Sequence, residues 1–192
     1  MQFKVGSKVV YPSQGPCLID AVLTKVVAGQ STGFYRLTLL DGSGDAVLVA
    51  SNKVKTTPIR GLVTKSEIPK LLNRLENLPL ASINWRQRGI DHAKLLASGS
   101  AFDLAEIVGA LSELSAAKPL PSRDRQTLER AKKLLICEIS EVTGETRTAT
   151  EEKIDGVLNL KKRNPIFPDN TIDSGQHAQS DKKKRSTVQP TQ

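Results

Sequence analysis

The sequence predicts an α+β protein that begins with a small β-barrel of the SH3-like or Tudor-like kind and continues into a compact bundle of four to five helices. Short apolar runs separated by turn residues fill the first 60 residues, and apolar residues recur at helical spacing from about residue 66. Both patterns end near residue 160, beyond which polar and basic residues dominate. We therefore expect a barrel at 1–62, a helical domain at 63–160 and a disordered basic tail at 161–192.

The barrel is predicted from short strands that alternate with turn signals. Pro and Gly residues at 12–16 and the sequence DGSG at 41–44 mark two of the turns. The strand-like runs are 5–11, 17–23, 34–40 and 46–49. Because so few short strands enclose only a thin core, we expect contact with the helical domain to help stabilise the barrel.

The helical domain is predicted from capping residues that precede apolar positions three and four apart. The expected caps of the first four helices are Ser66, Ser82 or Asn84, Ser100 and Ser122. The first two helices are expected to end near 77 and 97, and the prolines at 119 and 121 to separate the third from the fourth. A short fifth helix is expected from about 150 to 160.

The net charge of +8 is concentrated at the two ends of the chain. Residues 1–60 and 160–192 each carry an excess of four positive charges, whereas 61–159 are neutral. A basic balance favours a polyanionic partner. For the tail, a solvated segment and a phosphate-binding arm are both compatible with this composition.

Several function classes are disfavoured by the sequence. It has no apolar run long enough to span a bilayer and enters its first strand without a signal segment, so we expect a cytoplasmic protein, nucleoid-associated through its partner, with no membrane contact. Cys17 and Cys137 are expected to be buried thiols. His92 and His177 lack zinc-site spacing, and no glycine-rich phosphate motif occurs. We therefore expect no enzyme activity, no cofactor and no metal.

Trp85 begins the second helix within the sequence NWRQR at 84–88. The inward face of this helix is expected to consist of Ile83, Ile90, Ala93 and Ala97. Trp85 then lies roughly 130° from that face. An aromatic residue beside Arg86 and Arg88 is what a minor-groove wedge flanked by phosphate contacts requires. The spacing alone is also compatible with a tryptophan packed at the seam between the domains and with solvated arginines.

A second basic run lies at the start of the fourth helix. Its members are Arg123, Arg125, Arg130, Lys132 and Lys133. Because helix N-termini attract phosphate, this run predicts a contact with the DNA backbone. Acidic residues at 124 and 129 interrupt the run, so a solvated helix face is the alternative.

Several segments resemble the CarD/CdnL family of bacterial transcription regulators, whose N-terminal RNA polymerase-interacting module is shared with transcription-repair coupling factors. The opening motif of that module resembles FKVGSKVVYPSQG at 3–15, and its closing hydrophobic–Arg pair resembles Ile59-Arg60. The family's C-terminal domain resembles NWRQR at 84–88, LASG at 96–99, AEIV at 105–108 and the segment 122–138. The resemblance covers about residues 1–142 and includes no helicase segment.

The resemblance implies a transcription regulator that contacts both RNA polymerase and promoter DNA. The barrel would bind the protrusion and lobe region of the polymerase β subunit, by strand pairing at a sheet edge. The helical domain would enter the minor groove at the upstream fork of the transcription bubble, and the open promoter complex would live longer. We expect the protein to act as a monomer.

The resemblance also assigns roles to individual residues. Trp85 would be the wedge, Arg86 and Arg88 the adjacent phosphate contacts, and Arg125 a basic backbone contact. Arg123 is added as a DNA-binding candidate from its place in the basic run of the fourth helix. On the barrel, Lys25 lies where the family has a basic polymerase contact, and the strand containing Val47, Leu48 and Val49 would face the β subunit. Many members have arginine at the position of Leu48 and proline at that of Ala50, so this contact is expected to be altered, weaker or more apolar.

Two other functions stay open at this point. The first is a polymerase-binding adaptor whose helical domain recruits another protein, which the neutral charge of 61–159 favours. The second is a stand-alone basic protein that compacts DNA, for which binding to any duplex should be tight and salt-sensitive.

Overall fold

The computed structural model describes residues 3–54, 56–76 and 85–163, except for the side chains of Trp85, Arg86, Arg88 and residues 160–163. An antiparallel five-stranded sheet comes first and five α-helices follow, which confirms the predicted α+β class. None of the helices in the described ranges is both long and apolar enough to cross a membrane.

The sheet has the strand order β4-β3-β2-β1-β5. Its strands are β1 (Lys8–Tyr11), β2 (Gly15–Val27), β3 (Gln30–Leu39), β4 (Ala46–Ala50) and β5 (Arg60–Gly61). β2 and β3 form the longest ladder, and its register shifts at Asp20, an extra residue that bends β2. The two long strands meet in a tight turn where Ala28 and Gly29 both have positive φ, the geometry that matches strand twist.

The helices are α1 (Ile68–Glu76), α2 (Trp85–Ser98), α3 (Ala101–Ala117), α4 (Ser122–Thr143) and α5 (Arg147–Arg163). Ser100 caps α3 as predicted, because its hydroxyl accepts a bond from the Asp103 N–H. α4 ends at Gly144, whose φ of 78° suits glycine.

Four predicted helix boundaries were wrong. Thr64, rather than Ser66, begins the first helical segment, since its N–H and hydroxyl both donate to the Glu67 carboxylate over a short 3-10 turn. Pro121 occupies the cap position expected for Ser122, and α5 starts at Arg147 rather than near 150. α5 also continues to Arg163, so the expected tail boundary at 160 falls inside a helix. The rest of the tail, 164–192, and the proposed caps Ser82 and Asn84 lie outside the described residues.

Two clusters of buried apolar residues hold the molecule together. The smaller consists of Val9, Cys17, Ile19, Leu37 and Val49 on one face of the sheet. Phe3 extends this cluster by an edge-on ring contact with Tyr35 at 6.4 Å between centroids. The larger lies among α1, α3, α4 and α5 and includes the fully buried Leu71, Ile107, Leu135 and Ile154.

Candidate interaction surfaces

The outer face of the sheet, opposite its buried cluster, holds both Lys25 and Leu48. In the register, Leu48 is paired with Arg36, Arg36 with Ala21, and Lys25 with Thr32. Directly paired residues project to the same face, and alternate residues along a strand share a face. Lys25 and Leu48 are exposed, the latter by 42%. The fold therefore brings together two of the residues predicted to bind polymerase.

Val47 and Val49 point to the other face. Both pack with the buried cluster of the sheet, and Val49 is only 5% exposed. Their side chains therefore stabilise the sheet, and only their main chain is offered to a partner. β4 is an edge strand, and no described strand pairs with its outer side, so this main chain is available for strand addition.

Arg36 is a residue of this outer face that the sequence analysis missed. It lies directly across from Leu48, and its Nε donates to Asp20 Oδ1 at 2.8 Å. The Thr38 hydroxyl donates to the other oxygen of Asp20 at 2.7 Å. Arg36, and then Thr38, lower the pKa of the Asp20 carboxyl. The guanidinium is thus held one strand away from the position where arginine was expected, and only the sheet register reveals this.

The buried face of α2 differs from the predicted one. Ile90 is 51% exposed and Ala93 and Ala97 are exposed, whereas Gly89 and His92 are buried. The expected inward face was therefore wrong, and Ile83 lies outside the described residues. The predicted inward face was the reference from which Trp85 was placed, so that argument no longer supports the wedge role. The side chain of Trp85 lies outside the described residues. The wedge role of Trp85 stays a prediction that now rests on the family resemblance.

Gly89 is buried because the start of α4 approaches α2 at this point. A Cβ added to Gly89 would meet the Arg123 guanidinium carbon at 3.3 Å. Arg123 itself is exposed, and Arg125, two residues further, places Nη2 3.5 Å from the Leu120 carbonyl oxygen. The first turn of α4 therefore meets α2 at Gly89, one helical turn after Trp85, and Arg123 is the member of the basic run that lies there.

Other candidate chemistry forms no site in the described part of the chain. No group of three or more His, Cys, Asp or Glu residues there is placed to hold a metal ion. Cys17 and Cys137 are free and buried, as expected. Burial raises the pKa of the Cys17 thiol to about 11 and also raises that of Cys137, so neither is a reactive thiolate at neutral pH.

A partly buried ion pair joins the sheet to the helices. Arg60 of β5 donates from Nη1 and Nη2 to the two carboxylate oxygens of Glu138 at 2.6 and 2.8 Å. Glu138 lies in the middle of α4 and is 1% exposed. Its Oε1 also accepts the Val63 N–H at 3.0 Å, and Arg60 Nε donates to the Gly99 carbonyl at 2.7 Å. Arg60 thus connects the last strand to α4 and to the loop between α2 and α3.

A second, exposed set of contacts ties the turn before β4 to the helices. Lys133 of α4 lies 3.1 Å from the Asp41 carboxylate, and Arg147 of α5 donates to the carbonyl oxygens of Leu40 and Asp41. The Asp41 carboxylate also accepts the Ser43 N–H at 3.0 Å. Ser43, and then Lys133, hold the pKa of Asp41 well below its usual range.

Comparisons with known proteins agree with this two-part architecture. Residues 3–63 match the family model described as the CarD-like/TRCF RID domain, and residues 70–155 match that of the CarD C-terminal domain. A curated Bacillus subtilis (strain 168) protein, "Putative transcription factor YdeB", is 23% identical over 147 residues, which cover 75% of this chain and 94% of that protein. Both domain families are regulatory and non-enzymatic, and the N-terminal one implies interaction with RNA polymerase. The chain belongs to the CarD family of transcription regulators.

Proposed function

We propose that this protein binds the β subunit of RNA polymerase through the outer sheet face and edge strand β4, and that it stabilises the open promoter complex by minor-groove contact at the upstream edge of the bubble. The helical domain would supply the DNA contact, with Trp85 as the wedge and Arg86, Arg88, Arg123 and Arg125 on the flanking phosphates. Such a regulator would act in the cytoplasm, where its polymerase is.

One observation carries the DNA half of this proposal. The Arg123 guanidinium lies against Gly89, one helical turn after Trp85, so that two basic helix starts meet at one place. A minor-groove wedge needs cations within reach of the phosphates on both sides of the step that it opens. The meeting of the two helix starts also explains how a domain with balanced overall charge would offer DNA a local basic surface.

The polymerase half is supported by the outer sheet face. Lys25, Leu48 and Arg36 share this face, and β4 at its margin offers an unpaired main chain. Leu48 gives the surface an exposed apolar centre, and the cation of Arg36 lies beside it, neutralised by Asp20. We propose that the contact is correspondingly more apolar than one built on an arginine at this position.

Preferential binding to the open complex accounts for the effect on transcription. A protein that binds the open complex more tightly than the closed one shifts the equilibrium by that difference alone. Tenfold stabilisation needs about 1.4 kcal/mol, which one inserted aromatic ring and a few phosphate contacts supply.

The test is Trp85→Ala, with Ile90→Ala as the matched control. Ile90 is an exposed large apolar residue on the same helix, away from the buried face. Trp85→Ala should shorten the lifetime of open complexes about tenfold and leave polymerase affinity unchanged, whereas Ile90→Ala should change neither. Competitor-challenge decay of open complexes on several promoters measures the lifetime, and an unchanged lifetime with Trp85→Ala contradicts the wedge assignment.

The balanced charge of 61–159 favours a second candidate, an adaptor whose helical domain recruits another protein. Footprinting of promoter DNA with polymerase, with and without the protein, separates the two. Added protection at the upstream edge of the bubble supports DNA contact, and an unchanged footprint supports the adaptor.

A further inference from the structure

The Arg60–Glu138 pair lies between the two proposed binding surfaces. Arg60 belongs to β5, at the opposite edge of the sheet from β4. Its guanidinium reaches Glu138 in α4 and the Gly99 carbonyl just after α2, so one side chain contacts the sheet, α4 and the end of α2. α2 and α4 are the helices whose first turns hold the proposed DNA contacts.

The geometry of the pair is more restrictive than that of an ordinary ion pair. Two parallel N–H···O bonds fix the plane of the guanidinium against the carboxylate, and the third donor, Nε, is committed to Gly99. Glu138 is buried and accepts a further bond from Val63 at the start of the connection to the helices. A pair with a buried carboxylate contributes modestly to net stability, whereas removing one partner leaves the other without its counter-charge.

We propose that Arg60 and Glu138 are positioning residues that hold the polymerase-binding sheet and the DNA-binding helices at one fixed spacing. This inference rests on the proposed function. Polymerase binding through the sheet then delivers the first turns of α2 and α4 to the upstream fork at a high effective concentration. This gain in effective concentration depends on the spacing between the two surfaces, and it is lost when the first turns of α2 and α4 no longer reach the DNA.

A second ion pair between the sheet and α4 provides the control. Lys8 of β1 contacts Glu141 at 2.8 Å, three residues after Glu138 on the same helix. It is a single contact with side chains 48% and 22% exposed, so solvent screens it and many arrangements satisfy it. The same chemical change at Glu138 and at Glu141 therefore separates a positioning pair from a surface pair.

The experiment compares full-length Glu138→Gln with Glu141→Gln. Each is measured for polymerase affinity, for open-complex lifetime and for thermal unfolding. Glu138→Gln should bind polymerase with wild-type affinity but lose about tenfold of the lifetime gain, because the sheet surface is intact and its spacing to the helices is not fixed. Glu141→Gln should match wild type in all three measurements.

A milder variant covers the case in which Glu138→Gln unfolds. Arg60→Lys keeps the positive charge on β5 but cannot form the two-bonded fork or the Nε bond to Gly99. It should also lose open-complex lifetime while keeping polymerase affinity. A full wild-type lifetime in Arg60→Lys overturns the proposal, as does a loss of polymerase affinity in Glu138→Gln that matches its loss of lifetime.

Failure of the inference and failure of the proposed function give different results. If the proposed function is wrong, the wild-type protein itself does not prolong open complexes. If only the positioning role is wrong, wild type prolongs them, Trp85→Ala does not, and a folded Glu138→Gln behaves like wild type.

Discussion

The sheet and the helical domain differ in how much of their own core they supply. In the described residues the sheet cluster contains five buried apolar residues, and the helical cluster contains fifteen. The sheet also makes polar contacts outside itself, through Arg60 and the turn at Asp41. A domain with a thin core depends on its neighbours, whereas one with a large core does not. This difference predicts that the sheet loses more stability than the helical domain does when the two are separated.

Separating the domains should have the largest effect. A chain of residues 1–62 loses the partners of Arg60 and Asp41, so it should melt more than about 10 °C below the full-length protein or fail to fold cooperatively. A chain of residues 63–163 keeps the large cluster and should unfold cooperatively. Circular dichroism melts of both fragments measure this. A sheet fragment as stable as the full-length protein would contradict the dependence of the sheet on the helices.

Truncation of α4 side chains, one inside the helical core and one facing the sheet, should have the next largest effect. Leu135 is fully buried among the helices, so Leu135→Ala should lower the free energy of unfolding by about 2–5 kcal/mol. Its neighbour Leu134 is partly buried, and its Cδ2 lies 2.8 Å from where a Cβ at Gly15 of the sheet would be. Leu134→Ala should cost about 1 kcal/mol, since this side chain is only partly buried, between Gly15 of the sheet and the margin of the helical cluster. Urea unfolding of both variants gives the two free-energy losses. A larger loss for Leu134→Ala than for Leu135→Ala would show that packing against the sheet stabilises the protein more than the helical core does.

Acid should weaken the exposed contact at the turn before β4. The Asp41 carboxyl has a pKa below 3.8 in the folded protein, so its contribution to stability is present above that pH and is lost as the pH falls. The stability difference between wild type and Asp41→Asn should therefore shrink below about pH 4. Unfolding at pH 7, 5 and 3 tests this, and a difference at pH 3 as large as that at pH 7 would contradict the assignment.

The smallest effect is expected at the two thiols. Burial raises the pKa of Cys17 from 9.0 to about 11, so the fraction present as thiolate at neutral pH is roughly a hundredfold lower than for a free cysteine. Burial of Cys137 acts in the same direction. Alkylation of the native protein, followed by mass spectrometry, should be slow at both residues and become fast in urea. Rapid labelling of Cys17 alone would indicate that the sheet opens independently of the helices.

Much of the fold was predictable from local patterns. The α+β class, the turn at 41–44 and the Ser100 cap follow from short-range chemistry, and the structure confirms them. The cap of the first helical segment was missed because Thr64 and Ser66 are both plausible caps, and only the Glu67 carboxylate selects Thr64.

The buried face of α2 shows why periodicity failed there. The prediction placed Ile90 on the inward face, but the bundle packs against Gly89, where the Arg123 guanidinium occupies the space that a Cβ would need. A glycine inside a helix costs about 1 kcal/mol relative to alanine, and this cost was the available signal of a close approach. The outer-face arginine was missed for a related reason, since Arg36 and Leu48 become neighbours only through strand pairing.

By itself, the sequence determined the fold class, the family and the segments that hold the candidate residues, because these depend on the order and spacing of residues along the chain. Only the tertiary structure decided which residues meet. Arg60 and Glu138 are 78 positions apart, and nothing local to either predicts the other. Lys25 and Leu48 likewise share a face only because of the sheet register. Contacts between distant residues arise from packing, and packing is a property of the whole chain.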